Sequence, residues 1–155
     1  MAILLYHGSS VGGLQTLQPF TADHGKPYVY FSTSDISAAF YAARVIDRPY
    51  YWVPYGYSAQ GKITYTEVWR NALQEVFGGK TGYVYCCEAE DKNLLRFPTH
   101  RSLRLSTDPV PVSHCEKIDN LQDWFCSGSG KASSSYSVMN LSHPDQLALA
   151  RYGVG

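Results

Sequence analysis

The sequence predicts an α+β fold, a single compact domain over residues 1–155. Three observations point there. Runs of β-branched and aromatic residues outnumber stretches with helical spacing. The helical stretches lie between the early strands and do not alternate with strands throughout. And 155 residues, 45% of them hydrophobic, fill one core and hardly two.

The elements follow in order. Ala2-Ile3-Leu4-Leu5-Tyr6 is apolar for five residues and lacks a basic leader, so it reads as a first strand and not as a signal peptide. His7-Gly8-Ser9-Ser10 and Gly12-Gly13 make a turn-rich break. Leu14 to Phe20 is short and apolar, and residues 21–27 read as a loop. Tyr28-Val29-Tyr30-Phe31 is a strand by composition. Ser32-Thr33-Ser34-Asp35 offers helix N-caps, and Ile36, Ala39, Phe40 and Ala43 then fall at helical spacing, which predicts a helix from Asp35 to Val45.

Pro49 to Tyr57 holds five aromatics and no period, an aromatic loop or edge strand. Ile63-Thr64-Tyr65-Thr66 reads as a strand, and Val68 to Phe77 as a helix stopped by Gly78-Gly79. Gly82 to Ala89 is a central strand. Leu103 to Leu105 and Val110 to Val112 are shorter edge strands, given Pro109 and Pro111. Ser127 to Ser137, rich in Ser, Gly and Ala, is a loop. Leu147 to Arg151 reads as a helical turn.

Charge excludes some partners. Thirteen Lys and Arg balance 13 Asp and Glu, which leaves no global footprint for nucleic acid or an anionic membrane. No segment approaches the roughly 20 apolar residues of a membrane span. Cys86, Cys87, Cys115 and Cys126 form no C-x-x-C pair and have no His at ligand spacing. They read as reduced thiols of a cytoplasmic protein, with no metal. Tyrosine is the excess: there are 13, and 11 of them precede residue 86.

Two chemistries fail on spacing. Gly128-Ser129-Gly130-Lys131 is no phosphate-binding loop, because Phe125 stands where the first Gly is required and Ala132 follows the Lys. No G-x-S-x-G elbow exists, and His114 and Cys115, as neighbours on a strand, point to opposite faces.

His7 carries more. A His at a strand end beside Gly presents an imidazole next to unobstructed backbone. Tyr28 and Tyr30 share one face of their strand, and Tyr41 lies on the following helix. Two tyrosine faces can make a slot for a planar ring.

Leu5-Tyr6-His7-Gly8-Ser9, Val29-Tyr30-Phe31-Ser32 and Ala38-Ala39-Phe40-Tyr41 resemble the NAD-binding core of the ADP-ribosyltransferase superfamily. The similarity is to its H-Y-E branch, the diphtheria-toxin and poly(ADP-ribose)-polymerase type. Gly82-Tyr83-Val84-Tyr85 is also similar to a strand of the small rifampin ADP-ribosyltransferases. The resemblance covers residues 3–45 well, and 82–90 and 110–124 more thinly.

The resemblance implies a split β-sheet core and the release of nicotinamide from NAD with transfer of ADP-ribose to an acceptor. On that pattern His7 bonds the adenosine ribose and Gly8 backbone grips the carboxamide. Tyr30 and Tyr41 sandwich the nicotinamide, and Ser9 and Ser32 are further NAD contacts. Ala38 stands where the family often has a Ser.

The resemblance also calls for an acid at the nicotinamide ribose, where it stabilises positive charge as the glycosidic bond breaks. Glu116, in Glu116-Lys117-Ile118-Asp119-Asn120, matches the toxin-type motif. Glu88, Glu90 or Asp91 match the region used by the rifampin enzymes, and Glu67 is a further candidate. Ser32-Thr33-Ser34 and Glu88-Ala89-Glu90 match the other, R-S-E branch, but that branch requires an Arg where His7 stands.

The expected function is therefore an NAD-dependent ADP-ribosyltransferase, a toxin, effector or modifying enzyme, with NAD hydrolysis as the same chemistry on water. The alternatives are a non-catalytic NAD or ADP-ribose binding or protein-docking module of the same fold, and an unrelated α+β domain whose tyrosines are packing. The acceptor stays open among protein, nucleic acid and small molecule. No membrane partner is expected.

Overall fold

The computed structural model describes residues 1–21, 27–43, 55–57, 63–67, 72–126, 136–139 and 145–149; for 21, 55–57, 63–67, 72, 100, 126, 136–139 and 145–149 it describes the backbone alone. The strands are β1 (Ala2–Ser9), β2 (Thr16–Leu17), β3 (Phe20–Thr21), β4 (Pro27–Ser32), β5 (Tyr55–Tyr57), β6 (Ile63–Glu67), β7 (Gly82–Glu90), β8 (Leu95–Phe97), β9 (His100–Ser106), β10 (Val110–Pro111), β11 (His114–Ile118), β12 (Tyr136–Met139) and β13 (Asp145–Leu149). The helices are α1 (Asp35–Ala39), α2 (Ala72–Phe77) and α3 (Leu121–Cys126), with a 3₁₀ turn at Asp91–Asn93. The fold is α+β, built on a mostly antiparallel sheet with a few short helices.

The principal sheet runs β11-β7-β1-β4-β9-β8, with β3 added to β4. Among the described residues every pairing in it is antiparallel. β1 and β7 pair along their whole length, from Ala2↔Glu90 to Ser9↔Tyr83. β1 and β4, by contrast, share one register pair, Tyr6↔Ser32. β2 and β10 form a small ribbon, and β12-β13-β6-β5 a separate sheet.

Alternation along the strands builds a core on each face. On one face, Val84 and Ile118 meet Ile36, Phe77, Leu121 and Phe125 of the three helices and their flanks. Phe40 stacks on Phe125 there, with centroids 4.5 Å apart. On the other face, Leu5, Val29, Phe31, Tyr85, Cys87 and Leu94 pack together.

Two glycines let the helical layer come close. A Cβ on Gly8 would lie 1.9 Å from the Ala38 carbonyl oxygen, and one on Gly82 would lie 2.7 Å from Ala42 Cβ. Gly8 is therefore the seat of α1 as well as a candidate ligand contact.

Several expectations need correction. The strand expected to stop at Tyr6 continues through His7-Gly8-Ser9, because β7 offers partners that far. Glu116, which follows the expected strand Val110 to Val112, lies inside a further strand, β11. The helix from Asp35 ends at Ala39 and passes into turns through Ala43; residues 44 and 45 lie outside the described residues. The expected helical turn at Leu147–Arg151 is a strand to Leu149, paired with β6. Most of the aromatic stretch 49–57, residues 68–71 of the second expected helix and the loop at 127–135 also lie outside.

Candidate functional site

The site begins at the seam between β1 and β4. Beyond Tyr6↔Ser32 the seam is bridged by a side chain: His7 Nδ1 lies 2.7 Å from the backbone oxygen of Tyr30. A carbonyl can only accept, so Nδ1 carries the proton and donates it. In the neutral ring Nε2 then keeps a lone pair and is an acceptor. Burial pushes the His7 pKa down, and the bond to Tyr30 offsets part of that shift. The ring is neutral at pH 7.

Aromatic rings surround this imidazole. Phe20 and Phe31 meet it edge-on at centroid distances of 6.3 and 6.2 Å. Phe20 also lies 5.2 Å from the Tyr30 ring, and Tyr28 lies 6.0 Å from it. Phe20 escaped notice in the sequence because Pro19 before it suggested the end of an apolar run. Its pairing with Tyr28 is what brings it in.

The loop after β1 is pinned beside the same region. Tyr85 donates its hydroxyl to Val11 O at 2.5 Å and accepts from Leu14 N at 3.3 Å. Ser9 Oγ accepts from Val11 N, which gives Ser9 a turn-forming role. Ser32 Oγ accepts from Ser34 N, and Ser34 Oγ from Ser37 N, so the Ser-Thr-Ser run caps α1. Tyr41 follows α1 and is 52% exposed.

The candidate acids separate by sheet face. Across three strands the rows read His7↔Tyr85↔Cys115 and Gly8↔Val84↔Glu116. Partners directly opposite share a face. Glu116 therefore leaves the sheet on the helical face, where it accepts from Trp124 Nε1 at 2.9 Å. That is the face of Gly8 and Tyr6 and, through Tyr6↔Ser32, of Tyr30, whereas His7 has the opposite parity. Glu88 and Glu90 have the parity of Gly8, and Glu90 pairs with the Met1 amino group at 2.7 Å. The Glu67 side chain lies outside the described residues.

Asp91 stands apart from these. Its Oδ1 accepts from Arg104 Nε at 3.0 Å, and its Oδ2 pairs with Arg96. Arg104 is the register partner of Phe31, the residue whose ring meets His7. Leu94, which closes the 3₁₀ turn, packs in the same core as Phe31 and Leu5. These contacts run on the Phe31 face, opposite Tyr30, and Asp91 follows Glu90, the register partner of Ala2, five rows along β1 from His7. Arg104 was also missed in the sequence; its signal was a cation alternating with leucines in Leu103-Arg104-Leu105.

Chemically, the arrangement at the seam offers an acceptor nitrogen and aromatic surface for a planar ring, with the Glu116 carboxylate on the face of Gly8. Among the described residues no group of three His, Cys, Asp or Glu could hold a metal ion, and no helix is long and apolar enough to cross a membrane. No family model, curated protein or solved structure matches this chain.

Proposed function

We propose that the chain is an NAD-dependent ADP-ribosyltransferase of the H-Y-E type, acting at the seam between His7 and Tyr30. One observation carries the reading. The His7–Tyr30 hydrogen bond joins the two motifs that resemble the family, although 23 residues separate them. The opening of β1 from β4 beyond Tyr6↔Ser32 supports the expected split sheet.

In this reading His7 Nε2 accepts from a hydroxyl of the adenosine ribose. Tyr30 gives the nicotinamide ring a stacking face, with Tyr41 closing over it from the end of α1. The bond from nicotinamide nitrogen to ribose C1″ breaks, and its electron pair leaves with nicotinamide. The acceptor's lone pair forms the new bond to C1″, and its proton passes to solvent. A carboxylate near C1″ stabilises the oxocarbenium-like state more than the ground state. Glu116 is the better supported candidate for that role, because its row with Gly8 puts it on the face of Tyr6 and, through Tyr6↔Ser32, of Tyr30.

A second reading is an NAD or ADP-ribose binding module without turnover. It is favoured by Trp124, whose indole N–H already occupies an oxygen of the Glu116 carboxylate.

Thermal melting with NAD tests the binding common to both. At 100 times Kd a ligand adds about 2.7 kcal/mol, or about 8 °C for a domain of this size. His7→Ala and Tyr30→Ala should each remove most of that shift. A wild-type melting curve indifferent to millimolar NAD defeats both readings.

A further inference from the structure

We infer that Trp124 is a positioning residue that orients the Glu116 carboxylate for the nicotinamide ribose; the inference rests on the ADP-ribosyltransferase reading with Glu116 as its acid.

The backbone of Glu116 is placed by register, but its carboxylate is not. The row Gly8↔Val84↔Glu116 spans two strand spacings, about 10 Å between the outer backbones, and keeps Glu116 on the face of Gly8. β11 is the outermost strand of the principal sheet among the described residues, and Glu116 is exposed on it. The last torsion of a glutamate has broad wells, and packing does not narrow them at an exposed position. Trp124 supplies the constraint: its Nε1 donates to Glu116 Oε2 at 2.9 Å. An indole has a single N–H donor, so it holds one oxygen and leaves Oε1 to accept from a ribose hydroxyl.

The indole is itself held by the core. Trp124 lies in α3, partly buried against the cluster on the helical face. Its ring meets Phe125 edge-on with centroids 5.5 Å apart, and Phe125 stacks on Phe40. Phe40 caps the end of α1, and Tyr41 follows it in the chain. The three rings therefore link the frame of α1 to the carboxylate. The start of α3 is tied down as well: Leu121 N donates to Lys80 O at 2.9 Å, and Asn120 Oδ1 accepts from Gly79 N at 3.2 Å. Such placement matters because small errors in orientation cost large factors in rate.

A double-mutant cycle on nicotinamide release tests this, with wild type, Trp124→Phe, Glu116→Gln and the double variant, each assayed for kcat, KM for NAD and melting temperature. Phenylalanine keeps a ring against Phe125 and removes the N–H. Trp124→Phe should lower kcat about tenfold or more, with KM within about threefold and the NAD-induced melting shift retained. In the Glu116→Gln background the same change should cost almost nothing further, because its effect passes through Glu116. A purely structural role predicts equal losses in both backgrounds. Equal losses, or a Trp124→Phe variant with wild-type or higher kcat, overturn the inference while leaving NAD turnover standing. A Glu116→Gln variant with wild-type kcat overturns the choice of acid and this inference with it. A wild type that releases no nicotinamide overturns the enzyme reading and the inference together. Should Trp124→Phe not fold, Trp124→Leu, which also lacks the N–H, serves in the same cycle.

Discussion

His7 donates a hydrogen bond to the backbone oxygen of Tyr30 across 2.7 Å, at the seam where β1 and β4 share a single register pair. The bond fixes the tautomer of the imidazole and holds the strand that carries Tyr30. Removing it exposes an acceptor to an apolar setting, at a cost of about 1–3 kcal/mol. His7→Ala should therefore lower the melting temperature by about 3–10 °C without NAD present. An unchanged melting temperature would show that the seam does not depend on this bond.

The lowered pKa of His7 has a pH consequence. The unfolded imidazole titrates near 6.5 and the folded one below it, so the unfolded state binds more protons between the two values. Stability from this group is complete above pH 6.5 and falls as pH drops from there towards the folded pKa. Urea denaturation across pH 5–7 should show that decline, and His7→Gln should flatten it. A slope of opposite sign would contradict a buried neutral imidazole.

Gly8 has a packing reason for being glycine that does not depend on ligand. A methyl group there would collide with the Ala38 carbonyl. Backbone cannot yield as a flexible side chain does, so Gly8→Ala should cost about 3 kcal/mol, or about 10 °C. Circular-dichroism melting measures it. A loss of activity in Gly8→Ala without loss of stability would assign the glycine to ligand instead.

Cys87 should resist alkylation. It is fully buried, and burial among apolar neighbours pushes its thiol up to about 11 from 9. Two units correspond to about 100-fold less thiolate at pH 8. Mass spectrometry after iodoacetamide should find Cys86 and Cys115, both partly exposed, labelled well before Cys87. Early labelling of Cys87 in the folded protein would contradict the packing beneath Phe31 and Tyr85.

Much of the fold is written locally. Tyr28 to Phe31 and Gly82 to Ala89 carry dense β-branched and aromatic residues, and both are strands. Leu147-Ala148-Leu149 suits a helix equally well, and pairing with Thr64–Glu67 makes it a strand. α3 was not foreseen because its six residues are too few to show a period. At the site, the meeting of His7 with Tyr30 was legible from two motifs. The surroundings of the candidate acids were not, since a match such as Glu-x-Ile-Asp-Asn carries no information about sheet face. Register alone puts Glu116 on the Gly8 face, where it meets Trp124. Arg104 and Phe20 become visible only through β4, the strand both of them pair with.

Nicotinamide release from NAD, compared among wild type, Asp91→Asn and Glu116→Gln, tests the account most directly. Wild type and Asp91→Asn should release nicotinamide at rates within about threefold of each other. Glu116→Gln should lose about 100-fold or more in kcat while NAD still raises its melting temperature. A wild type inert towards NAD, or abolition by Asp91→Asn with Glu116→Gln intact, would contradict the account.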